Sequence, residues 1–375
     1  MTLDIVPVTT ARQRETFLRL PERLYRADPA WIPNLLWLQR EVVSEKRNPF
    51  FEHGEAQLFL AQRDGKPVGR ISAQVDHLHN ECHGENTGFF GFFEAEDDPE
   101  VASRLLGAAE AWARERGLDC LRGPFSFSIT EEVGVLVEGF EHPPMVATTH
   151  GLPYYPALVE AAGYAKAMDL YAYRWQVGPP PARMMAAVVR ARAVPGLRLR
   201  KVNVWRLERD VRVLLDIFND AWHENWGFVP ATDREARKLA GDLRLIADPW
   251  IAIIAEVDGE PAGMTVAIPN LYEAIRDFRG HLNPWNATRL VWRLKVRGLE
   301  TGRVMLFGVK RKFRTRELFG LPFLLLDELY RGSTKGRYVW SEQSWVLENN
   351  GRLNAMMPHW GAEVYKTYRI YEKGL

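Results

Sequence analysis

The sequence predicts an α/β protein built from two tandem domains, each with a mixed central sheet flanked by helices. Two repeated elements predict this fold class. The pattern Ala-x-x-Asp-Gly-x-Pro-x-Gly occurs at residues 61–69 and again at residues 255–263. Residues 154–173 parallel residues 352–371 in the same way. Both pairs lie about 200 residues apart and in the same order, which indicates a duplicated domain.

The domain boundaries follow from a stiff, Pro-rich break between the two copies. Gly178 is followed by three prolines, and a short helical stretch then leads to Pro195 and Gly196. We therefore predict a first domain at residues 1–177, a linker at 178–196 and a second domain at 197–375.

Within each half, hydrophobic alternation and turn residues predict a strand, a helical region, a hairpin, a further strand and a long helix. In the first half the further strand is residues 87–94 and the long helix 100–116. In the second half they are residues 304–309 and 322–330. A strand, an Asn-capped short helix, a Gly stop and a last aromatic strand then close the second half over residues 341–373.

Composition excludes several classes of function. A net charge of +1 argues against a general nucleic-acid binder, which would carry a concentrated basic excess. Two cysteines, Cys82 and Cys120, give neither a disulfide framework nor a thiolate metal cluster, and no metal site is predicted. The sequence begins without a signal peptide and contains no membrane span, so we expect a cytoplasmic protein.

The closing segment, residues 341–373, resembles the end of the GNAT (N-acetyltransferase) superfamily fold. Stretches such as NPFFEHGEAQLFLA, GFFGFFE and YKTYRIYEK are similar to a family of bacterial GNAT-like proteins of this length. Some proteins of that kind are associated with sphingolipid synthesis, in which a long acyl chain is placed on an amine. The resemblance implies an acyltransferase that takes acetyl-CoA or a longer acyl-CoA as donor.

The resemblance also implies a loop, with the motif R/Q-x-x-G-x-G/A, that holds the CoA pyrophosphate before a helix N-terminus. In the first half this loop, residues 94–99, is acidic and unsuited to a pyrophosphate. In the second half it is KRKFRTR at residues 310–316, so we place the cofactor there. The predicted cofactor-binding residues are Val309, Arg311, Arg314, Arg316, Gly320 and Asn350. Asn350 is also expected to cap the short helix.

This second loop departs from the family motif. Glu317 and Phe319 stand where glycines are expected, and Gly320 comes one residue late. Either the CoA phosphates bind differently, or an acidic acyl carrier protein delivers the thioester.

The catalytic groups are less clearly marked. The Tyr that serves as acid in GNAT proteins is replaced by Met357 in the second half and by Val159 in the first. Glu342, in the middle of a strand, is the candidate base if partial burial raises its pKa. The alternative is a carboxylate paired with a neighbouring cation. His359 is a candidate for proton transfer or else a surface residue.

Two further regions are candidates for acceptor binding. Glu131 and Glu132, in a Ser/Thr-rich loop of the first half, could orient an amine in a cleft between the halves. An insertion at residues 270–301 contains Trp292 among apolar and basic residues. It could lie on an anionic membrane at the inner face, wall an acyl tunnel, or pack over the sheet as an ordinary helix.

The sequence therefore predicts an N-acyltransferase that moves an acyl group from a thioester to a small-molecule or lipid amine. A second enzymatic hypothesis is a tandem GNAT aminoacyl transferase that acts on cell-wall precursors. The alternative from another class is a catalytically silent CoA- or lipid-binding module, since a fold does not guarantee its chemistry.

Overall fold

The two Asp-Gly turns found in the sequence each close a long antiparallel hairpin. In this computed structural model, which describes residues 2–244 and 246–375, both turn residues have positive φ: 48° and 78° at Asp64 and Gly65, and 50° and 83° at Asp258 and Gly259. Such turns match the right-handed twist of paired strands, and Asp and Gly tolerate the conformation best. The repeated hairpins predicted from the sequence are confirmed.

The chain forms two compact units, and each draws on more than one stretch of sequence. Unit 1 comprises residues 1–171, 275–286 and 365–375, and unit 2 comprises residues 172–274 and 287–364. The positions at which the two sequence repeats begin and end stay a prediction.

Unit 1 contains the elements of the first half in chain order. They are β1 (Leu3–Pro7), α1 (Ala11–Leu24), α2 (Leu36–Val42), β2 (Gly54–Arg63), β3 (Lys66–Asp76), α3 (His77–His83), β4 (Thr87–Ala95), α4 (Pro99–Glu115), β5 (Cys120–Gly123), β6 (Val135–Glu138), α5 (Tyr155–Ala161) and β7 (Ala165–Gln176), the last of which continues into unit 2. Strands β1 to β5 are neighbours in that order, antiparallel except for the parallel pair β4–β5.

Unit 2 repeats this plan. Its elements are α6 (Ala182–Arg192), β8 (Leu197–Lys201), α7 (Leu207–Trp222), α8 (Asp233–Leu243), β9 (Ala252–Val257), β10 (Glu260–Pro269), α9 (Leu271–Ile275), α10 (Pro284–Trp292), β11 (Thr301–Val309), α11 (Leu321–Gly336), β12 (Trp340–Leu347), α12 (Gly351–His359) and the first residues of β13 (Ala362–Gly374), most of which belongs to unit 1. The ladder runs β12-β11-β10-β9-β8, with β11 and β12 parallel. Helix α9 ends, and α10 begins, at a border of the units, since residues 275–286 belong to unit 1.

Helices cover both faces of each sheet. In unit 1, α4 and α5 pack on one face through residues such as Leu105 and Val159, and α1 packs on the other through Phe17. In unit 2, α7 and α8 cover one face, and α6 and α11 cover the other. The predicted fold class, a mixed sheet flanked by helices in each of two copies, is confirmed.

The closing strand behaves differently from the sequence expectation that it completes the second half. Residues 365–374 of β13 belong to unit 1, where Tyr371 pairs with Gly123 of β5 and Tyr368 pairs with Leu136 of β6. Conversely, residues 172–176 of β7 belong to unit 2. Each unit thus receives a closing strand from the other half of the sequence. Local patterns cannot reveal this, because strand partners are set by register between distant segments.

The segment predicted as a linker contains a packed helix. Val188 and Ala191 of α6 are buried in the part of the unit 2 core to which α11 also contributes.

Candidate functional site

The parallel strands of unit 2 pair over only part of their length. β11 and β12 pair from Thr301 with Trp340 to Val304 with Gln343, although the strands continue to Val309 and Leu347. Beyond the last pair, residues 305–308 of β11 are only partly buried. The facing backbone edges in this gap leave N–H and C=O groups that need partners. We call this region the strand gap.

The same parallel pair in unit 1 is filled by the protein itself. β4 and β5 pair from Thr87 to Phe89. Beyond that point the N–H of Phe125 donates to the carbonyl of Phe90 at 2.7 Å, and Phe90 and Phe93 are buried. A Cβ added at Gly91 would lie 1.8 Å from the Phe125 carbonyl oxygen, so the approach is very close. Unit 1 therefore has no comparable space for a ligand along this strand among the residues that the structure describes.

The acidic loop of unit 1 is also satisfied internally. The Glu94 carboxylate accepts hydrogen bonds from the hydroxyls of Tyr25 at 2.8 Å and Tyr155 at 2.6 Å, and Arg70 lies at 3.5 Å. Burial raises the pKa of Glu94, while Arg70 and the two hydroxyls oppose that rise. Asp98 caps α4 and pairs with Arg63 at 2.7 Å. These acids serve the structure of unit 1.

The basic loop of unit 2, residues 310–320, is largely neutralised by acids from elsewhere. Lys310 pairs with Asp216 at 2.6 Å, and Lys312 pairs with Glu260. The backbone N–H of Arg311 donates to Asp220 at 2.6 Å. Its guanidinium also lies within 4 Å of the carboxylates of Asp220 and Glu224. The sequence signal, five cations within seven residues, therefore overstates the positive charge available to a ligand.

The end of the loop is held by backbone carbonyls rather than by acids. Arg314 donates to the carbonyls of Val309 at 2.9 Å and Ala221 at 2.8 Å, which fixes the loop against β11 and α7. The backbone N–H groups of residues 315–317 make no hydrogen bond within the described part of the chain, and Arg316 is exposed. These groups lie just before α11, where the helix dipole also favours negative charge.

Gly320 has a packing role as well as its predicted place in the cofactor loop. It is the N-cap of α11, and a Cβ added there would lie 2.2 Å from the Ala187 carbonyl oxygen of α6. The absence of a side chain lets α6 and α11 approach closely.

Glu342 is fully buried in β12 and lies directly across from Arg303 of β11. The Arg303 guanidinium is 3.7 Å from the Glu342 carboxylate and donates to the Ser344 hydroxyl at 2.8 Å. The Ser344 hydroxyl in turn donates to Glu342. The pairing with a neighbouring cation, the alternative interpretation from the sequence, is observed, and the role of Glu342 as a base stays a prediction. The triad adjoins the point where the strand gap opens.

The short helix α12 carries three of the residues considered in the sequence. Asn350 accepts the N–H of Leu353 at 3.2 Å, so the predicted N-cap is confirmed. Met357, at the position of the family's Tyr, is buried. His359 is exposed, and its Nδ1 accepts a hydrogen bond from Arg183 at 3.1 Å.

A hydroxyl from another strand reaches this helix. Tyr173 of β7 donates to Asn354 at 3.0 Å, and Asn354 precedes Met357 by three residues, on the same helix face. Sequence comparison with the family motif missed Tyr173 because it searched for the acid on α12 alone.

The acceptor candidates lie apart in the chain. Glu131 and Glu132 are partly buried in the loop between β5 and β6 of unit 1. Trp292 ends α10 and is half exposed. Sequence reasoning also missed Arg303, Ser344 and Asp220. Ser344 could have been found from its spacing of two residues from Glu342 on one strand face.

Solved structures with a similar fold are acetyltransferases of the GNAT class. A tandem GNAT protein from the clavulanic acid biosynthesis pathway, solved without acetyl-CoA, is 13% identical, with a TM-score of 0.59 over 100% of this chain and 98% of that one. A GCN5-related N-acetyltransferase from Sphaerobacter thermophilus is 15% identical, with a TM-score of 0.54 over 99% and 95% of the chains. These similarities define the class of fold as tandem GNAT. A comparison with models of known protein families gives no match.

Two curated proteins are much closer in sequence. The bacterial ceramide synthase of Caulobacter vibrioides is 44% identical over 100% of this chain and 98% of its own length. Protein YghO of Escherichia coli is 40% identical over 96% of this chain and 92% of its own. The chain therefore belongs to the family that contains these two relatives, and it has the GNAT fold that its closing segment resembles.

Among the residues that the structure describes, no group of three or more His, Cys, Asp or Glu side chains is arranged to hold a metal ion. No helix in that part of the chain has the length and apolar character needed to cross a membrane.

Proposed function

We propose that the protein is an acyl-CoA-dependent N-acyltransferase and that unit 2 holds the thioester. The observation that carries the proposal is the contrast between the two parallel strand pairs. In unit 2 the pairing of β11 with β12 stops at Val304 and the basic loop follows the end of β11, whereas in unit 1 Phe125 continues the contact with β4.

The pyrophosphate of CoA fits the end of the basic loop. Three successive N–H groups at residues 315–317 point to anion binding ahead of a helix, and Arg314 and Arg316 supply positive charge. The pantetheine arm carries amides that match the unpaired strand edges of the gap. In our proposal Val309 and Gly320 lie along the route from the basic loop to the strand gap. Asn350 orients α12 at the far end of that gap.

The chemistry requires a group that accepts the proton of the attacking amine. In our proposal the amine nitrogen attacks the thioester carbonyl and its proton passes to the Ser344 hydroxyl, which gives its own proton to Glu342. Arg303 balances the carboxylate charge and keeps both side chains in place.

Collapse of the tetrahedral intermediate breaks the carbon–sulfur bond and releases a thiolate that needs a proton. Tyr173 is our candidate for this acid, because its hydroxyl reaches the α12 face on which the family places a Tyr. His359 remains a second candidate for proton transfer. Since its Nδ1 accepts from Arg183, its neutral form carries the proton on Nε2.

For the acceptor we propose a long-chain lipid amine. A relative 44% identical over the whole chain is named a bacterial ceramide synthase, and such a product requires N-acylation of a lipid amine. Glu131 and Glu132 would bind the acceptor as an ammonium ion before it loses its proton. Trp292 would contact apolar parts of the substrates.

The test is thiol release with acyl-CoAs of graded chain length and with lipid and water-soluble amines. We expect release only with a long-chain lipid amine present. The variant Arg314→Glu with Arg316→Glu should weaken CoA binding strongly, whereas Arg12→Glu with Arg14→Glu, which changes two exposed cations of α1, should not. If acyl carrier protein is the donor, thiol should be released from the acylated carrier and not from acyl-CoA. CoA binding without release from any donor and amine would instead support the silent module.

A further inference from the structure

The insertion before β11 exposes its apolar residues to solvent. Trp285 is 70% exposed and Val296, in the π-helical turn Arg293–Arg297 that continues α10, is 71% exposed. Val291 and Trp292 are about half exposed, while Leu290 is buried. Packing against the protein therefore accounts for the apolar residue on the inner side of this helix. It does not account for the apolar residues on the outer side.

These exposed residues share one face. Trp285, Trp292 and Val296 are spaced by seven and four residues, which places them along one stripe of the helix, and Val291 lies to one side of that stripe. We call the outward face of residues 284–297 the α10 face. Scattered exposed apolar residues are normal in a protein surface, but an aligned stripe with two Trp is typical of an interaction surface.

The charges along residues 278–299 have one sign, and Asp277 and Glu300 flank this segment. Residues 278–299 contain Arg279, Arg289, Arg293, Lys295 and Arg297 and neither Asp nor Glu. The Arg293 guanidinium donates to the carbonyl of Ala274, which holds it against the protein, and Lys295 and Arg297 are exposed beside Val296.

We propose that the α10 face docks on an anionic lipid bilayer. Trp is favoured at the boundary between headgroups and acyl chains, and flanking Lys and Arg side chains reach the anionic headgroups. A second copy of the chain is a poorer partner, because a symmetric contact would bring two sets of five cations together with no acid on this segment. The inference goes beyond the proposed reaction and does not depend on it.

The test uses the full-length chain and sedimentation with vesicles. One set contains phosphatidylcholine alone, and the other contains phosphatidylcholine and phosphatidylglycerol in roughly equal amounts. The variant Trp285→Ser with Val296→Ser removes two residues of the stripe and leaves Trp292, a proposed substrate contact, unchanged. The matched control is Trp205→Ser with Val189→Ser, which replaces the same residue types at sites 91% and 62% exposed.

We expect the wild type to bind the anionic vesicles, with weaker binding at high salt. The α10 variant should bind roughly tenfold more weakly, the control should bind like the wild type, and all should melt at similar temperatures. Quenching of Trp fluorescence by brominated lipid should likewise fall only in the α10 variant.

Three results would overturn the proposal: no wild-type binding to anionic vesicles, equal losses in the α10 variant and the control, or unchanged vesicle binding by the α10 variant. If that variant alters only self-association or capture of acyl carrier protein, the face serves a protein partner instead. None of these results bears on thiol release, so failure here is distinguishable from failure of the proposed reaction.

Discussion

Replacing Asp220 by Asn should tighten CoA binding, because the Asp220 carboxylate places a negative charge against the basic loop. One Asp220 carboxylate oxygen accepts the backbone N–H of Arg311 at 2.6 Å, and the other lies 3.7 Å from the Arg311 guanidinium. An Asn oxygen can still accept the backbone N–H, so the loop keeps its conformation while one negative charge is removed. The pyrophosphate then meets less repulsion.

The size of the effect follows from the partial exposure of this pair. Two unit charges about 4 Å apart interact by about 1 kcal/mol in water, and exposed ion pairs contribute about 0.2–1 kcal/mol. Because a tenfold change in affinity corresponds to about 1.4 kcal/mol, we expect the Kd for CoA to fall by roughly two- to fivefold. The gain should shrink as salt screens the charges.

Isothermal titration calorimetry with CoA at two salt concentrations measures this change. The control is Asp242→Asn, which removes an equal charge from an exposed pair with Lys238 on α8. If Asp220→Asn leaves the Kd unchanged or raises it, the pyrophosphate does not bind at this loop. An equal gain in the control would mean that only the overall charge of the protein matters.

Three further predictions concern stability. Gly320→Ala should cost about 1–3 kcal/mol in thermal or urea unfolding, since its Cβ would meet the Ala187 carbonyl. Gly241→Ala, in a helix with free space, should instead gain up to about 1 kcal/mol, and equal effects would contradict the packing argument. Arg303→Met should cost about 3–5 kcal/mol by leaving the buried Glu342 carboxylate without this cation, and adding Glu342→Gln should recover part of that loss. Burial lowers the pKa of His150 below its ordinary 6.5, so its contribution to stability is present above pH 6.5 and is lost as the pH falls toward the lowered pKa. His150→Gln should reduce the decrease of the urea unfolding midpoint as the pH falls below 6.5. An unchanged dependence of that midpoint on pH would contradict the contribution assigned to His150.

The location of the basic loop could be predicted from the sequence, but the extent to which acids neutralise its cations could not. Lys310 and Arg311 are adjacent in the chain, whereas their partners Asp216 and Asp220 lie on α7, about 90 residues earlier. Glu342 is a similar case, because its cation comes from Arg303 on the neighbouring parallel strand. A charge pattern along one segment cannot report on partners that folding brings from another.

The same division holds for the insertion. Its interleaved Trp and Arg residues are visible in the sequence, yet they fit a packed helix, a tunnel wall or a membrane surface equally well. The tertiary structure decides which side is buried, with Leu290 turned inward and Trp285 outward.

The sequence by itself determined what depends on neighbouring residues: the two Asp-Gly hairpins, the Asn350 cap and the order of elements that marks a tandem GNAT fold. These features are governed by backbone conformations and hydrogen bonds within a few residues. Only the tertiary structure decided that β7 and β13 each complete the other half's unit, and that pairing of the parallel strands stops at Val304 in unit 2 while Phe125 bonds to Phe90 beyond the paired residues in unit 1. The physical reason is that strand pairing and side-chain burial depend on register between segments far apart in the chain, which local sequence patterns do not specify.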